Sequence, residues 1–441
     1  MAGGPSRMVI AARTWTNWGA TASCTPRRSV MPRGEDEIAQ VLKEAARDDL
    51  PVKVTGTGHS FTDIACTDGV RISLDRHDRV VAVDPDARTV TVEAGITLRR
   101  LSDVLAEHGL AQPNLGDIGE QTVAGAVSTA THGTGARFGT LSTQVEALRL
   151  ATADGSVVDV DGSDQELLRA ARVSIGALGV ISQVTLQCED AFNLHAIEQP
   201  AKLDDVLARW DELVKSNEHF EFYWFPHTDV CMTKESNRTD RPLSPKGRLR
   251  TWLDDRFVAN GVFGLANRIG RRIPSSVPRI ARLAGVLLGR TEEVDRSDRV
   301  FLTPRMVRFA EMEYAIPRAA VPDAVRAVKD LIEKEDLIVS FPIEVRTAAP
   351  DDAFLSPAYG RESAFVAVHM FQRVDFHRYF RGVEAIMRAL DGRPHWGKWH
   401  YRTAADLRPA YPELDRFLAV RDRLDPDRRF ANAYLERVLG A

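Results

Sequence analysis

The stretch Val52-Lys-Val-Thr-Gly-Thr-Gly-His-Ser-Phe-Thr-Asp-Ile64 decides how this chain is read. Pro51 to Val54 make a short apolar strand, and the strand runs into a loop holding Gly56 and Gly58. Glycine lets the backbone turn sharply and approach a ligand closely. Successive N–H groups in such a turn form a nest for an anion, pyrophosphate included. His59 and Ser60 follow at once, so an imidazole stands where that nest holds a dinucleotide. An imidazole so placed is a nucleophile beside a cofactor, which points to a flavin site. The string is neither a Rossmann fingerprint, lacking G-x-G-x-x-G at a helix start, nor a Walker A loop, lacking Gly-Lys-Ser/Thr. Taken alone it is short enough to be an ordinary loop, so the later segments carry the rest.

Composition narrows the class. The chain has 441 residues, which predicts roughly two or three domains. Apolar residues are 44% and charged residues 27%, the balance of a globular protein, and a net charge of −4 gives nucleic acid no electrostatic footing. The four cysteines, Cys24, Cys66, Cys188 and Cys231, are scattered without a C-x-x-C, which argues against a zinc site and a disulfide framework. No metal ligand set is expected. The first residues lack a long apolar core, so no signal peptide is expected, and no run of 18 apolar residues predicts a membrane span. The expected location is the cytoplasm, with contact at the inner face of the membrane if a basic segment docks there.

The chain divides in texture near residue 190. Before it, periodicity predicts helices over Glu35–Asp48 and Leu98–His108. Strands are predicted at Val70–Leu74, Val80–Val83, Thr89–Ala94, Val145–Ala151 and Val157–Val160, with Gly176–Leu186 turning into a last one. Gly116 to Gly139 is rich in Gly, Ala, Ser and Thr, which permits close contact with a flat ligand. After it, a helix is predicted over Leu203–Lys215 and strands over His219–Trp224, Phe309–Ile316, Ile338–Arg346 and Ser363–Phe371. Further helices span Arg318–Glu335 and Phe376–Leu390. Residues 234–300 carry many arginines, and no acidic residue lies between Arg256 and Arg290. A solvated helical hairpin is the plainer reading of that segment; a surface for anionic lipid or an acidic electron-transfer partner is the other.

Three later pieces complement the glycine loop: Gly119-Glu-Gln-Thr-Val-Ala-Gly-Ala-Val-Ser-Thr-Ala-Thr-His-Gly-Thr-Gly135, Pro342-Ile-Glu-Val-Arg346 and Arg393-Pro-His-Trp-Gly-Lys398. Two residues apart on a strand, Glu344 and Arg346 face the same side. A carboxylate and a guanidinium on an apolar strand are costly unless paired or used. A structural salt bridge satisfies that rule as well as a catalytic pair does, and Lys398 between aromatics reads equally as a surface residue.

In this order the four segments resemble the vanillyl-alcohol-oxidase class of flavoproteins. Within it the chain is similar, from about Asn17 to Leu439, to the sugar-1,4-lactone oxidoreductases: the L-gulono-, L-galactono- and D-arabinono-1,4-lactone oxidases and dehydrogenases, the actinobacterial dehydrogenases above all. The resemblance implies an α+β, two-domain flavoprotein. Residues 17–190 would form an FAD-binding domain of two α+β subdomains. Residues 191–441 would form a substrate domain of the D-arabinono-lactone-oxidase type, with a mainly antiparallel sheet and helices. It implies FAD bonded covalently through His59. The implied cofactor residues are Thr55, Gly56, Thr57, Gly58, His59, Ser60, Gly119, Thr122, Gly125, Ala126, Ser128, Thr131, His132, Gly133, Gly176, Gly179, Val180, Ile181 and Asn432. The implied catalytic residues are Glu344, Arg346, Lys398 and His369.

The implied reaction oxidises the C2 hydroxyl of an aldono-1,4-lactone by hydride transfer to flavin N5, giving an ascorbate-type product. A fixed cation would stabilise the negative charge that develops on the reduced ring, a role assigned mainly to Arg346, with Lys398 second. Glu344 would accept hydrogen bonds from sugar hydroxyls, and Glu344, His369 and Lys398 all stand as candidate bases. The implied acceptor is O2 or a cytochrome-like protein. Alditol oxidases are near neighbours, but they place a serine where Ala126 stands and a threonine where Phe371 stands. Loss of those polar contacts favours a lactone over a linear polyol such as xylitol or sorbitol.

Overall fold

The computed structural model describes residues 9–10, 13–247, 261, 263–303 and 307–440. Its first unit is built on a four-stranded and a five-stranded sheet, with two two-stranded ribbons, Trp15–Thr16/Ser23–Cys24 and Leu110–Ala111/Glu189–Asp190, beside them. In the four-stranded sheet, β1 (Val9–Ile10), β2 (Arg28–Val30), β3 (Val52–Thr55) and β4 (Val70–Ser73) lie in the order β1-β2-β4-β3, with the last three parallel. Helix α1 (Glu35–Arg47) makes the crossover from β2 to β3 and buries Ile38, Val41, Leu42 and Ala45, the face its periodicity predicts. The other sheet is antiparallel, ordered β8-β7-β9-β6-β5, from β5 (Val80–Asp84), β6 (Thr89–Glu93), β7 (Val145–Ala151), β8 (Val157–Val160) and β9 (Val180–Gln187). Helices α2 (Leu98–Glu107), α3 (Val123–Ser128) and α4 (Gln165–Arg172) complete this unit.

The second unit is one eight-stranded antiparallel sheet. Its strands are β10 (Asn193–Lys202), β11 (His219–Trp224), β12 (Val230–Arg238), β13 (Thr291–Arg296), β14 (Phe309–Pro317), β15 (Ile343–Ala348), β16 (Ser363–Phe371) and β17 (Arg393–Pro394), ordered β13-β10-β12-β11-β15-β16-β14-β17. Alternation splits its central strands into two faces. Met312, Tyr314, Ile316, Ile343, Val345, Val366, Val368, Phe220 and Phe222 form one, packed under α9 (Val321–Lys334) and α10 (His377–Ala389). The opposite face carries Glu311, Glu313, His369, Glu344, Arg346, Glu221 and Tyr223 and is turned to the first unit, where Gly135 N–H bonds the Thr347 carbonyl at 3.0 Å. Every residue of β15 and β16 is buried, so a polar face has been enclosed rather than left to water.

The tail returns to the first unit. Trp396, Tyr411, Phe417, Phe430 and Tyr434 belong to its core, with α11 (Leu414–Leu424) and α12 (Ala433–Leu439).

Some predicted elements differ. β15 starts at Ile343 rather than residue 338. The preceding residues are committed elsewhere: Val339 N–H to His227 Nε2, Ser340 Oγ to Asn267, and the Pro342 carbonyl to His369. The helix predicted over Leu203–Lys215 is two, α5 (Leu203–Ala208) and α6 (Trp210–Ser216), parted at Arg209. Of residues 234–300, Lys234–Arg238 complete β12 and Thr291–Arg296 are β13; the longer helices among the described residues are α7 (Phe263–Arg272) and α8 (Val277–Leu287), with a short one beginning at Ser297. Residues 256–260 and 262 of the basic segment lie outside the described residues.

Candidate active site

β3 delivers the glycine loop to a cleft of about 870 Å³ that is open to solvent on one side. Thr55, Gly56, Thr57, Gly58, His59 and Ser60 line it, facing Thr122, Gly125 and Ser128 of α3 and its cap, with Gly176, Gly179 and Ile181 at the far end. Its floor has no room for side chains. A Cβ on Gly56 would stand 2.1 Å from Thr122 Oγ1, and Gly58 has φ +76° with the Trp15 ring 3.0 Å from a would-be Cβ. Trp15, Lys53, Ile64, Leu74 and Gln121 also line the cleft and were not identified from sequence. Gly119, Ala126, Thr131, His132, Gly133, Val180 and Asn432 are not among its lining residues. Ala126 and Val180 are core. Gly133 lines a neighbouring cavity of about 310 Å³ beside Arg346. Asn432 works behind the loop, donating from its amide to the carbonyls of Asp63, Ile64 and Cys66 and capping α12.

His59 stacks on Trp18, with ring centroids 5.4 Å apart and an interplanar angle of 26°. Burial holds its pKa below the ordinary imidazole range, against the pull of Glu120. Its Nδ1 is buried without a hydrogen-bond partner. A neutral imidazole with a ring nitrogen that no protein group claims retains its nucleophilicity. The glycine floor, the residues that line the cleft and that ring fit a flavin dinucleotide.

The second sheet holds two buried charged groupings, the first of which reaches the glycine loop through Lys398, whose Nζ stands 5.3 Å from the centre of the Phe61 ring. In the first, Lys398 Nζ lies 2.5 Å from Glu311 Oε2, and His369 Nε2 lies 3.5 Å from Glu311 Oε1. Glu311 and His369 are directly opposed in the β14–β16 register. Burial works against the Lys398 charge, but Glu311 and Glu313 outweigh it and raise its pKa above the ordinary lysine value. Burial likewise opposes the Glu311 charge, yet Lys398 and then His369 hold that carboxyl below its usual range. His369 Nδ1 stands 3.1 Å from the Pro342 carbonyl. A carbonyl only accepts, so Nδ1 carries the hydrogen and Nε2 is left facing Glu311.

The second grouping surrounds Arg346. Its Nη2 is 2.5 Å from Glu344, its Nε donates to Glu221 at 2.6 Å, and its Nη1 is 3.6 Å from Asp117. Nη2 also donates to the Tyr223 hydroxyl at 3.2 Å. Burial disfavours the guanidinium charge, but Glu221 and Glu344 outweigh it and raise its pKa well above the usual value. Glu344 and Arg346 therefore project together, as the strand period predicts, and they pair with each other. Between the groupings lie Glu313, His132 and His395. His132 Nε2 is 3.2 Å from Glu313, and Phe365 stacks on His132 at 3.6 Å.

Sequence reasoning missed Glu311, Glu313, Glu221, Tyr223 and Trp18. Glu311 and Glu313 alternate within Phe309–Ile316, so the period put them on one face of that strand. Only the pairing of β14 with β16 shows that this face meets His369.

Acids, a lysine and a histidine held dry beside a dinucleotide cleft suit oxidation of an alcohol, and the fold is that of the vanillyl-alcohol-oxidase-type FAD flavoproteins. Cholesterol oxidase from Brevibacterium sterolicum shares it, with a TM-score of 0.82 over 99% of both chains at 16% identity. Residues 26–161 match the FAD binding domain model and residues 184–438 the D-arabinono-1,4-lactone oxidase model. Over 426 residues the chain is 49% identical to L-gulono-1,4-lactone dehydrogenase of Mycobacterium tuberculosis, covering 97% of this chain and 99% of that one. It is 37% identical over 433 residues to L-gulonolactone oxidase of Bos taurus, covering 96% and 97%. The chain belongs to the D-arabinono-1,4-lactone oxidase family and is an FAD-linked oxidoreductase.

Proposed function

We propose that this protein oxidises the C2 hydroxyl of an aldono-1,4-lactone, L-gulono-1,4-lactone or a close analogue, to an ascorbate-type product, with FAD bonded through His59. The observation that carries this reading is the Lys398–Glu311–His369 grouping beside the loop that floors the cleft, with Lys398 next to Phe61 and in electrostatic contact with His59. The names of the similar proteins supply the substrate class. FAD, when bound, supplies the hydride acceptor at N5. The chain does the rest. His369 Nε2 takes the hydroxyl proton, its ring held by the Pro342 carbonyl, and Glu311 stabilises the imidazolium that results. Lys398 supplies the cation that favours the developing negative charge. Arg346 and Glu344, each already paired, offer the remaining lone pairs and hydrogens of a rigid fork to the sugar hydroxyls. Burial keeps water from the grouping.

An alditol oxidase is the alternative on the same fold. Against it, Ala126 is an apolar core residue and Phe371 packs in an aromatic cluster with Phe61, Phe309 and Phe341, so neither offers a polar contact to a linear polyol.

Dioxygen or a cytochrome-like acceptor reoxidises the flavin in this reading, and α7 and α8 touch the membrane surface. No helix of the described residues is long and apolar enough to cross a membrane. Leu265, Ile269, Ile273, Leu283, Val286 and Leu287 are exposed on this pair beside exposed Arg268, Arg271, Arg272, Arg279 and Arg282. Apolar side chains among cations suit the headgroup layer of anionic lipid. Sedimentation with phosphatidylglycerol vesicles, and none with phosphatidylcholine alone, is the expected result; equal behaviour in both ends that part of the reading.

The central test is anaerobic absorbance, before and after acid precipitation and then with L-gulono-1,4-lactone. A yellow pellet and bleaching by the lactone are expected. Bleaching by xylitol or sorbitol and by no lactone would establish the alditol oxidase instead. Admitting air to the bleached protein tells dioxygen from a protein acceptor.

A further inference from the structure

The cysteines, scattered in sequence, do not stay scattered. Cys24 closes the short hairpin Trp15–Thr16/Ser23–Cys24, and Cys66 lies late in the loop that runs from Gly56 to Gly69. The fold sets the two side by side: just past Cys24, Arg27 N–H bonds the Asp68 carbonyl at 2.9 Å and Arg28 N–H the Gly69 carbonyl at 3.2 Å, and the thiols of Cys24 and Cys66 interact. Both are partly exposed, whereas Cys188 and Cys231 are buried in the cores. All four are free thiols.

Both elements that carry this pair are fixed. Trp18 N–H bonds the Gly58 carbonyl at 2.8 Å, Asn17 Nδ2 bonds the Ser60 carbonyl at 2.9 Å, and Thr21 Oγ1 bonds the Phe61 carbonyl at 2.7 Å. Cys66 is held from behind by Asn432, which donates to its carbonyl at 2.9 Å. The hairpin also supplies Trp18, which stacks on His59, and Trp15, which packs against Gly58 and lines the cleft.

We propose that Cys24 and Cys66 form a reversible disulfide that fastens the Trp15–Cys24 hairpin to the cofactor loop. The oxidant is a peroxide. Cys24 attacks one peroxide oxygen as its thiolate and becomes a sulfenic acid, with loss of water or alcohol. Cys66 then attacks the Cys24 sulfur, releasing water, so that two thiols are oxidised and one peroxide is reduced. The two sites are unequal in the way such a sequence needs. Cys24 is in electrostatic contact with the Arg71 guanidinium. Burial, then the neighbouring Cys24, pushes Cys66 up to about 12, so it waits as a thiol. The bond would close a covalent ring over residues 24–66, His59 among them, restricting the unfolded chain and the opening of the loop.

The test uses the full chain as purified and is independent of its substrate. Reduced protein is treated with hydrogen peroxide, unfolded in N-ethylmaleimide and mapped by mass spectrometry, with its melting midpoint recorded. A Cys24–Cys66 cross-linked peptide two hydrogens lighter is expected, reversed by dithiothreitol, with a raised melting midpoint. Cys24→Ser and, separately, Cys66→Ala should abolish both changes while peroxide leaves their midpoints alone. Full alkylation of both cysteines after peroxide, or their conversion to sulfinic acids without a cross-link, overturns the proposal. A cross-link that leaves the midpoint unmoved overturns the fastening role.

Discussion

Glu311 shows how much a single side chain can set. It is the direct partner of Lys398 and the group that faces His369, and it bears no part in any local sequence motif. In Glu311→Gln, Lys398 loses its nearest negative charge, and burial then disfavours the ammonium. The expected outcome is a fall of about 10²-fold in the rate of flavin reduction by lactone. The alkaline limb of the pH profile should move to lower pH, because Lys398 would deprotonate earlier. Stopped-flow reduction across pH measures both; an unchanged alkaline limb would show that Glu311 only fills space. His59 is the second residue whose role is sharp. His59→Ala should leave FAD in the cleft, since the glycine floor is untouched, but acid precipitation should now release all of it. Flavin retained in the acid pellet would refute the attachment.

At the scale of elements, the floor of the cleft is a contact between a loop and a helix cap. Thr122 caps α3, its hydroxyl accepting from Gly125 N–H, and the same Oγ1 stands where a Gly56 side chain would go. Gly56→Ala must therefore push Thr122 aside, costing about 1–3 kcal/mol by overpacking and loss of the cap. A lowered melting midpoint and weakened flavin retention are expected together, by calorimetry and by flavin-to-protein absorbance ratio; an unaltered ratio would mean that the loop relaxes elsewhere. This floor was legible in sequence, because two glycines before a histidine are a local signal, and so was the shared face of Glu344 and Arg346, because a strand has period two. What surrounds Arg346 was not legible. Glu221 and Tyr223 come from β11 and Asp117 from a loop in the first unit, and their meeting depends on which strands pair. The early start predicted for β15 failed for a related reason: apolar residues 338–341 look like strand, but tertiary partners claim their backbone and side chains.

For the molecule as a whole, the two units meet across buried imidazoles, and this makes the assembly sensitive to acid. Burial lowers His219 to about 4 and His395 to about 3, and it lowers His400 well below the ordinary value. His219 bonds the Thr134 carbonyl at 2.7 Å and stacks on Phe138, so it stitches β11 to the first unit. Each of these groups binds its proton more readily in the unfolded chain, near pH 6.5, than in the folded one. Stability is then fully present above pH 6.5 and falls as the pH drops towards the folded values. Near pH 5 the slope from the two histidines with assigned values is steepest and approaches its limit of about 2.7 kcal/mol per pH unit, one proton each at about 1.36 kcal/mol. The carboxyls of Glu221, Glu311 and Glu313, all held below their usual range, act in the same direction further down. A melting midpoint that is level above pH 7 and drops steeply below 6 is the expected profile. His219→Asn, which cannot take up that proton, should flatten it by roughly half of the histidine slope. A midpoint constant from pH 7 to pH 4.5 would mean that these rings reach water in solution, and that the polar face of the large sheet is not sealed against the cofactor unit.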